Sequence, residues 1–306
     1  MPTHTVRVTD DAAGGIRVDR YVADVLGLFS RSQAKVRNLE ATVNGSPVRL
    51  SHRLKPGDQL SVVYTEPERT DVRPEPVDLS VVYEDSNVVV LNKPCGMVVH
   101  PAKGNYSGTL VQGLLWYLGR CDDRIGPSGR PGVVHRLDKD TSGVIVTAKR
   151  PEAQEYLASQ FKNRTARKTY LAIVKGSIAR RTGRISGYLA RDAHNRKRFA
   201  LTQGAGRWSE TEYRVLSVYG AYSFLALAPK TGRTHQLRVH LQSMGHPVLG
   251  DPIYARRDDL FPNVPLLLHA YRLRVELPEE GESRTFRAPL PERFTRVLRE
   301  LARRYR

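Results

Sequence analysis

His135-Arg136-Leu137-Asp138-Lys139-Asp140-Thr141-Ser142-Gly143, running straight into the apolar Val144-Ile145-Val146, is the stretch on which the reading of this chain turns. It sets carboxylates among cations just before a segment whose β-branched side chains predict a buried strand. A carboxylate carried that close to a core must be paired, so the segment predicts a cleft that employs an anion. Arg136 and Lys139 flank Asp138, and cations close in space favour the ionised form, which suits nucleophilic more than acid work. The structural alternative is that Asp138 or Asp140 braces a loop through arginine and backbone donors.

On either side of this stretch, strand-like runs dominate: Val81 to Tyr83, Val88 to Leu91, Val144 to Ala148, Tyr170 to Val174, Glu212 to Val218, Phe224 to Ala228 and Leu267 to Leu277. Two helices stand out among them. One runs from Pro151 to Phe161 with Ala153, Leu157 and Phe161 on one face, and one from His235 to Met244, capped by Thr234 and stopped by Gly245. So many strands with so few helices predict an α+β body built on a mixed, mainly antiparallel sheet, with no regular βαβ units.

Residues 15–65 read as a separate small α/β module. Val18, Tyr21, Val22, Val25 and Leu26 form one helical face, and Ser30 with Gln33 forms a capping box opening a second helix. Asn44-Gly45 and Pro56-Gly57-Asp58 mark turns. Residues 66–78, rich in proline and charge, read as a linker, and residues 79–306 as the catalytic body.

The chain has 306 residues, 40% of them hydrophobic, enough for two domains and a sizeable core. Lysine and arginine number 49 against 31 acids, and the formal charge of +18 suits a polyanionic partner. From Lys162 to Arg198 twelve basic residues face the single acid Asp192, which points to a nucleic-acid surface. Cys95 and Cys121 are the only cysteines and lack C-x-x-C spacing, so a reducing cytoplasm is expected. No apolar run is long enough to span a membrane.

Several chemistries lack support. Asp140-Thr141-Ser142-Gly143 superficially resembles an aspartic protease loop, but no second such segment supplies the partner carboxylate. His235, His240 and His246 match no zinc-binding spacing, so capping or packing is expected of them. Walker-type and dinucleotide glycine patterns are missing.

The segment HRLDKDTSG is similar to the signature of the RluA family of RNA pseudouridine synthases. Further stretches resemble family motifs in the expected order: Asn92-Lys93-Pro94-Cys95-Gly96 with Val99-His100-Pro101, then Arg167-Lys168-Thr169-Tyr170, then Thr231-Gly232-Arg233-Thr234-His235-Gln236-Leu237-Arg238, then Leu267-Leu268-His269-Ala270. The front module resembles an S4 RNA-binding domain through Ser30-Arg31-Ser32, Val43-Asn44-Gly45 and Leu54-Lys55-Pro56-Gly57-Asp58. It departs from that pattern at Asn38-Leu39-Glu40-Ala41-Thr42, which is short and lacks the usual glycine.

The resemblance implies isomerisation of uridine to pseudouridine, with no cofactor and no metal. It implies Asp138 as the nucleophile or base that starts glycosidic cleavage and Tyr170 as the residue that stacks on the flipped base and helps remove the C5 proton. Arg233, held just before the expected cap Thr234, is the expected ion-pair partner of Asp138; Arg238 is its competitor but is expected among the substrate-binding residues, where a phosphate contact or a structural salt bridge would explain it equally well. Arg136, Arg167 and Lys168 are expected on substrate phosphates and Leu268 in the pocket wall. In the front module Arg31, Lys35, Arg37 and Arg53 are expected to position phosphate. Large-subunit ribosomal RNA is the expected substrate, transfer RNA the alternative, and a monomer the expected state. The rival class is an inactive synthase retained as an RNA-binding assembly factor.

Overall fold

The computed structural model describes residues 2–9, 15–29, 34, 37–65, 72–102, 104–119, 132–192, 195, 198–279 and 281–305. The chain divides into two compact units, Met1–Thr70 and Asp71–Arg306.

The first unit is a four-stranded antiparallel sheet of β1 (Thr3–Arg7), β2 (Glu40–Val43), β3 (Ser46–Val48) and β4 (Gln59–Val63), in the order β1-β4-β2-β3. Helix α1 (Val18–Arg20) continues into a π-helical turn, Tyr21–Val25. Val18, Tyr21 and Val22 from this segment pack on Leu54, Leu60 and Val62. Strand β1 lies ahead of the expected start at residue 15; the polar chain enters the sheet because an edge strand buries only one side. Asn44-Gly45 makes the two-residue hairpin between β2 and β3, both residues having positive φ. Asn38, with φ 46°, takes a left-handed turn ahead of β2, a conformation that asparagine tolerates. The expected Ser30 and Gln33 capping box lies outside the described residues.

The second unit carries β5 (Val81–Glu84), β6 (Val88–Lys93), α2 (Leu110–Tyr117), β7 (Ser142–Ala148), α3 (Pro151–Asn163), β8 (Arg167–Lys175), β9 (Thr182–Arg191), β10 (Phe199–Thr202), β11 (Arg207–Tyr219), β12 (Tyr222–Pro229), α4 (Gln236–Ser243), β13 (Leu268–Glu276), β14 (Ser283–Arg287) and α5 (Glu292–Arg304). Its strands form one ten-stranded sheet, ordered β10-β9-β11-β12-β8-β13-β7-β6-β5, with β14 paired to β13. Every pairing is antiparallel except β13 with β7, which meet in parallel through His269 opposite Ser142 and Ala270 opposite Gly143. Two antiparallel halves are thus joined at a two-residue seam. A Cβ on Gly143 would overlap the backbone of Ala270, and its φ of +119° excludes other residues, so glycine is what lets the strands close there. Val89, Ile145, Leu157 and Leu273 lie in the core on one side of the seam, and Ile173, Leu225, Leu267 and Phe294 in that on the other.

All seven expected strand runs are strands here. The helix over 151–163 begins with Pro151 in its first turn and ends at Arg164 in the left-handed conformation. Part of the expected linker is tied to the body: the Glu75 carboxylate accepts bonds from the Gly108 N–H (2.7 Å) and Gln112 Nε2 (2.6 Å) at the start of α2, where the helix dipole favours an anion.

Candidate active site

Asp138 sits in the turn leading into β7, whose Thr141 N–H returns to the Asp138 carbonyl (3.1 Å). The turn is clamped from beneath by Lys93 at the end of β6. This ammonium, 1% exposed, donates to the carbonyls of Pro94 (2.8 Å), Met97 (2.8 Å) and Lys139 (2.9 Å). Burial lowers its pKa from 10.5 to about 8, against the opposing pull of the nearby Cys95, Asp140 and Asp138. His135 holds the other flank: its Nε2 accepts the Val146 N–H (3.1 Å), its ring stacks on Phe161 at 4.4 Å, and loss of solvent pushes its pKa down to about 3.

The guanidinium facing Asp138 belongs to Arg238. Its Nη1 lies 3.5 Å from Asp138 Oδ2, while Nε and Nη2 grip the two oxygens of Asp251 at 2.7 and 2.8 Å. The Arg238 side chain is 4% exposed, that of Asp251 0% and that of Asp138 20%, so the pair is anchored in protein and of the three only the Asp138 carboxylate meets solvent. Asp251 is itself fixed by the N–H groups of Ile253 (2.9 Å) and Tyr254 (3.0 Å). Bidentate pairing of this kind sets direction as well as charge.

The expectation that Arg233 makes this ion pair is overturned. Its Nε donates to the Trp208 carbonyl at 3.4 Å, on the rim of the pocket. Burial, then Arg207 and Arg164, lower its pKa. The helix does not start from a Thr234 cap. His235 adopts φ 57°, and the Gln236 side chain accepts the Arg233 N–H (3.0 Å) and the Thr231 hydroxyl (2.7 Å). This entry turns Arg233 outward and brings Arg238, inside α4, onto Asp138.

Asp138, Tyr170, Arg136, Lys168, Arg233, Arg238 and Leu268 all line one cavity of about 460 Å³, a volume within the range of small-ligand pockets. Tyr170 projects from β8 between the two cores. Burial and the charge of Asp138 raise its pKa, so the phenol is neutral at physiological pH. Leu268 is 3% exposed. Lys168 lies 5.9 Å over the Phe161 ring, and burial lowers its pKa. Arg136 is exposed at the mouth. Arg167 is not in this cavity; it lines an adjoining groove, because alternate side chains of β8 face opposite sides of the sheet. In the first unit, Arg37 lies over Phe29 at 5.0 Å and Arg53 donates to the Gly15 carbonyl at 2.7 Å. Arg31 and Lys35 lie outside the described residues.

Sequence reasoning missed Asp251, although an acid between Gly250 and Pro252 in an otherwise apolar neighbourhood was a signal. It also missed the clamp made by Lys93. The three spaced histidines are each engaged by protein groups: His235 with the Tyr254 hydroxyl (2.9 Å), His240 with those of Ser209 (2.9 Å) and Thr211 (3.0 Å), and His246 with the Lys175 carbonyl (3.0 Å).

A carboxylate held by a buried arginine, beside a neutral phenol and under a basic rim, can act on a flat polar group attached to a polyanion. Comparison with known proteins agrees. The family model for RNA pseudouridylate synthase matches residues 87–243. Ribosomal large subunit pseudouridine synthase D of Borreliella burgdorferi is 40% identical over 92% of this chain and 89% of its own. An uncharacterized RNA pseudouridine synthase of Bacillus subtilis is 41% identical over 93% of this chain and 94% of its own. Among solved structures, human RNA pseudouridylate synthase domain containing 4 superposes with a TM-score of 0.58 at 25% identity, over 73% of this chain and 93% of that one. The chain therefore belongs to the RNA pseudouridylate synthase family, enzymes that isomerise uridine to pseudouridine within RNA.

Proposed function

We propose that the chain modifies uridines of large-subunit ribosomal RNA and that Asp138 starts the reaction. The observation that carries this is the Asp138 carboxylate, open to the cavity and backed by the Arg238–Asp251 pair. Asp138 opens the C1′–N1 bond, by attack on C1′, addition to the base or abstraction of a sugar proton. The base then turns, C5 bonds to C1′, and the C5 hydrogen leaves as a proton while N1 gains one. The ring of Tyr170, neutral and in the same cavity as Asp138, would stack on the base, and its hydroxyl would assist at C5. A uridine within a stem must be flipped to enter, and Arg136, Lys168 and Arg233 compensate the crowded phosphates as it does so.

The ribosomal assignment draws on relatives named for that substrate. The first unit fits an S4-like RNA-binding module, with Arg31, Lys35, Arg37 and Arg53 on phosphate, and residues 79–306 fit the catalytic body. The protein acts as a cytoplasmic monomer; among the described residues no helix is long and apolar enough to cross a membrane.

Tritium release from transcripts bearing 5-tritiated uridine tests this, comparing large-subunit ribosomal RNA with transfer RNA and the intact protein with Asp138→Asn. Release from ribosomal transcripts that vanishes in the variant is expected. Preference for transfer RNA reassigns the substrate, and tight RNA binding without release from any substrate supports a binding-only role.

A further inference from the structure

A second basic groove, of about 500 Å³, opens from the catalytic cavity and shares Arg164, Ala166, Lys168, Pro229 and Lys230 with it. It passes round the ends of β8 and β12 and reaches Arg167, Arg272 and Arg274, and no carboxylate is among its lining residues. The strand register there is unusual. Arg274 of β13 lies directly opposite Arg167 of β8, and Arg272 of β13 opposite Arg287 of β14. Like charges facing each other across strands destabilise a sheet. All four are exposed, and none has an ion pair among the described residues; the one polar partner is the Thr169 hydroxyl, bonded to Arg272 at 3.1 Å. The neighbouring acid Glu212 is already engaged by Lys230 at 2.8 Å. A polyanion lying along the strip would offset that repulsion and be held by it. Because Lys168 and Tyr170 face the cavity while Arg167 and Thr169 alternate to the other side, the strip lies on the face of the sheet opposite the catalytic pocket.

We infer that the RNA strand flanking the target uridine leaves the pocket through this groove, and that Arg272 and Arg274 hold its phosphodiester backbone on the far face of the sheet. The inference rests on the RNA-modifying reading and adds a second contact that reads phosphate and not base. It also accounts for Arg167 facing away from the cavity.

The test is the double variant Arg272→Glu/Arg274→Glu, with Arg272→Lys/Arg274→Lys as charge control. Binding to a large-subunit ribosomal RNA fragment is followed against salt, beside tritium release from that fragment and from a short hairpin cut around its modified uridine. The acidic variant should bind the long fragment about tenfold more weakly near 0.15 M salt, with the slope of log K against log salt smaller by about 1.5, since each phosphate contact contributes ~0.7 to 0.9. Its kcat at saturation and its KM for the hairpin should stay as in the intact protein, its melting temperature should not fall, since the change relieves the repulsion between facing arginines, and the lysine variant should bind nearly normally. Unchanged affinity and salt slope would overturn the inference and point instead to an acidic protein surface as the occupant. A loss shared equally by the hairpin, or not restored by lysine, would overturn it as well. Absence of tritium release by the intact protein would count against the proposed reaction, whereas the binding arm alone judges the groove.

Discussion

Replacing Asp251 by alanine should disable the enzyme from a position that never meets substrate. In the folded protein Arg238 is held by two short bonds to Asp251 and one longer contact, 3.5 Å, to Asp138. Without Asp251 a guanidinium that is 4% exposed loses its principal partner, and breaking a buried pair from one side costs roughly 3–5 kcal/mol. For a body of this size that corresponds to a fall in melting temperature of about 10 °C, at ~2–4 °C per kcal/mol. The freed arginine should then collapse onto Asp138 and draw the carboxylate out of line, and a misplacement on the order of 1 Å lowers turnover ~100-fold. Single-turnover tritium release and thermal unfolding read the two effects separately. The informative comparison is Arg238→Met/Asp251→Leu, which replaces the pair by apolar groups of similar bulk. Stability should return to within about 2 kcal/mol of the intact protein, while turnover stays as low as in Asp251→Ala. Turnover near the starting value in either variant, or a double variant no more stable than Asp251→Ala, would refute the view that this pair exists to aim Asp138.

Other outcomes follow from the same geometry. Gly143→Ala should destabilise the body by roughly 3 kcal/mol or more, measured by urea unfolding, because its Cβ meets the Ala270 backbone at a φ closed to other residues. Lys93 has a folded-state pKa of about 8 against 10.5 ordinarily, so the unfolded chain holds the extra proton between those values. Its contribution to stability should therefore rise with pH across that window, by up to about 3 kcal/mol, and Lys93→Met should abolish that slope. His135, His240 and His269 are lowered by burial to about 3, 4 and 4. They should stay neutral at pH 5.5 by imidazole NMR and weaken the fold as pH falls from 6.5 toward those values, the unfolded chain taking the protons first. Removing residues 1–70 should raise KM for long ribosomal transcripts several-fold and leave kcat at saturating RNA unchanged; an equal fall in kcat would contradict an accessory role.

The strand runs were legible because period and β-branching announce them, and the loop from His135 to Gly143 because its charges stand against an apolar run. Strands β9 and β10 were not read: Arg184 and Arg191 crowd the pattern, and few apolar residues, chiefly Ile185 and Leu189, face the core. Helix α5 was there to be read, with Phe294, Val297 and Leu301 at helical spacing within a charged segment. The choice between Arg233 and Arg238 was of another kind. It depended on the backbone of one residue, His235, whose left-handed conformation moved the start of α4 and exchanged which arginine faces inward. No pattern of residue types announces that turn, since histidine, though more tolerant of the left-handed region than most residues, adopts it in only a small minority of cases.

The seam between β7 and β13 has a consequence for the life of the chain. Ser142 and His269, the residues that meet there, are 127 positions apart, so Asp138 and Leu268 share a cavity only after nearly the whole polypeptide exists. A nascent chain carries the strands of its first unit well before β13, yet has no assembled cavity until β13 arrives to close the sheet. Assembly of the cavity is in this sense a late event of synthesis, set by topology alone.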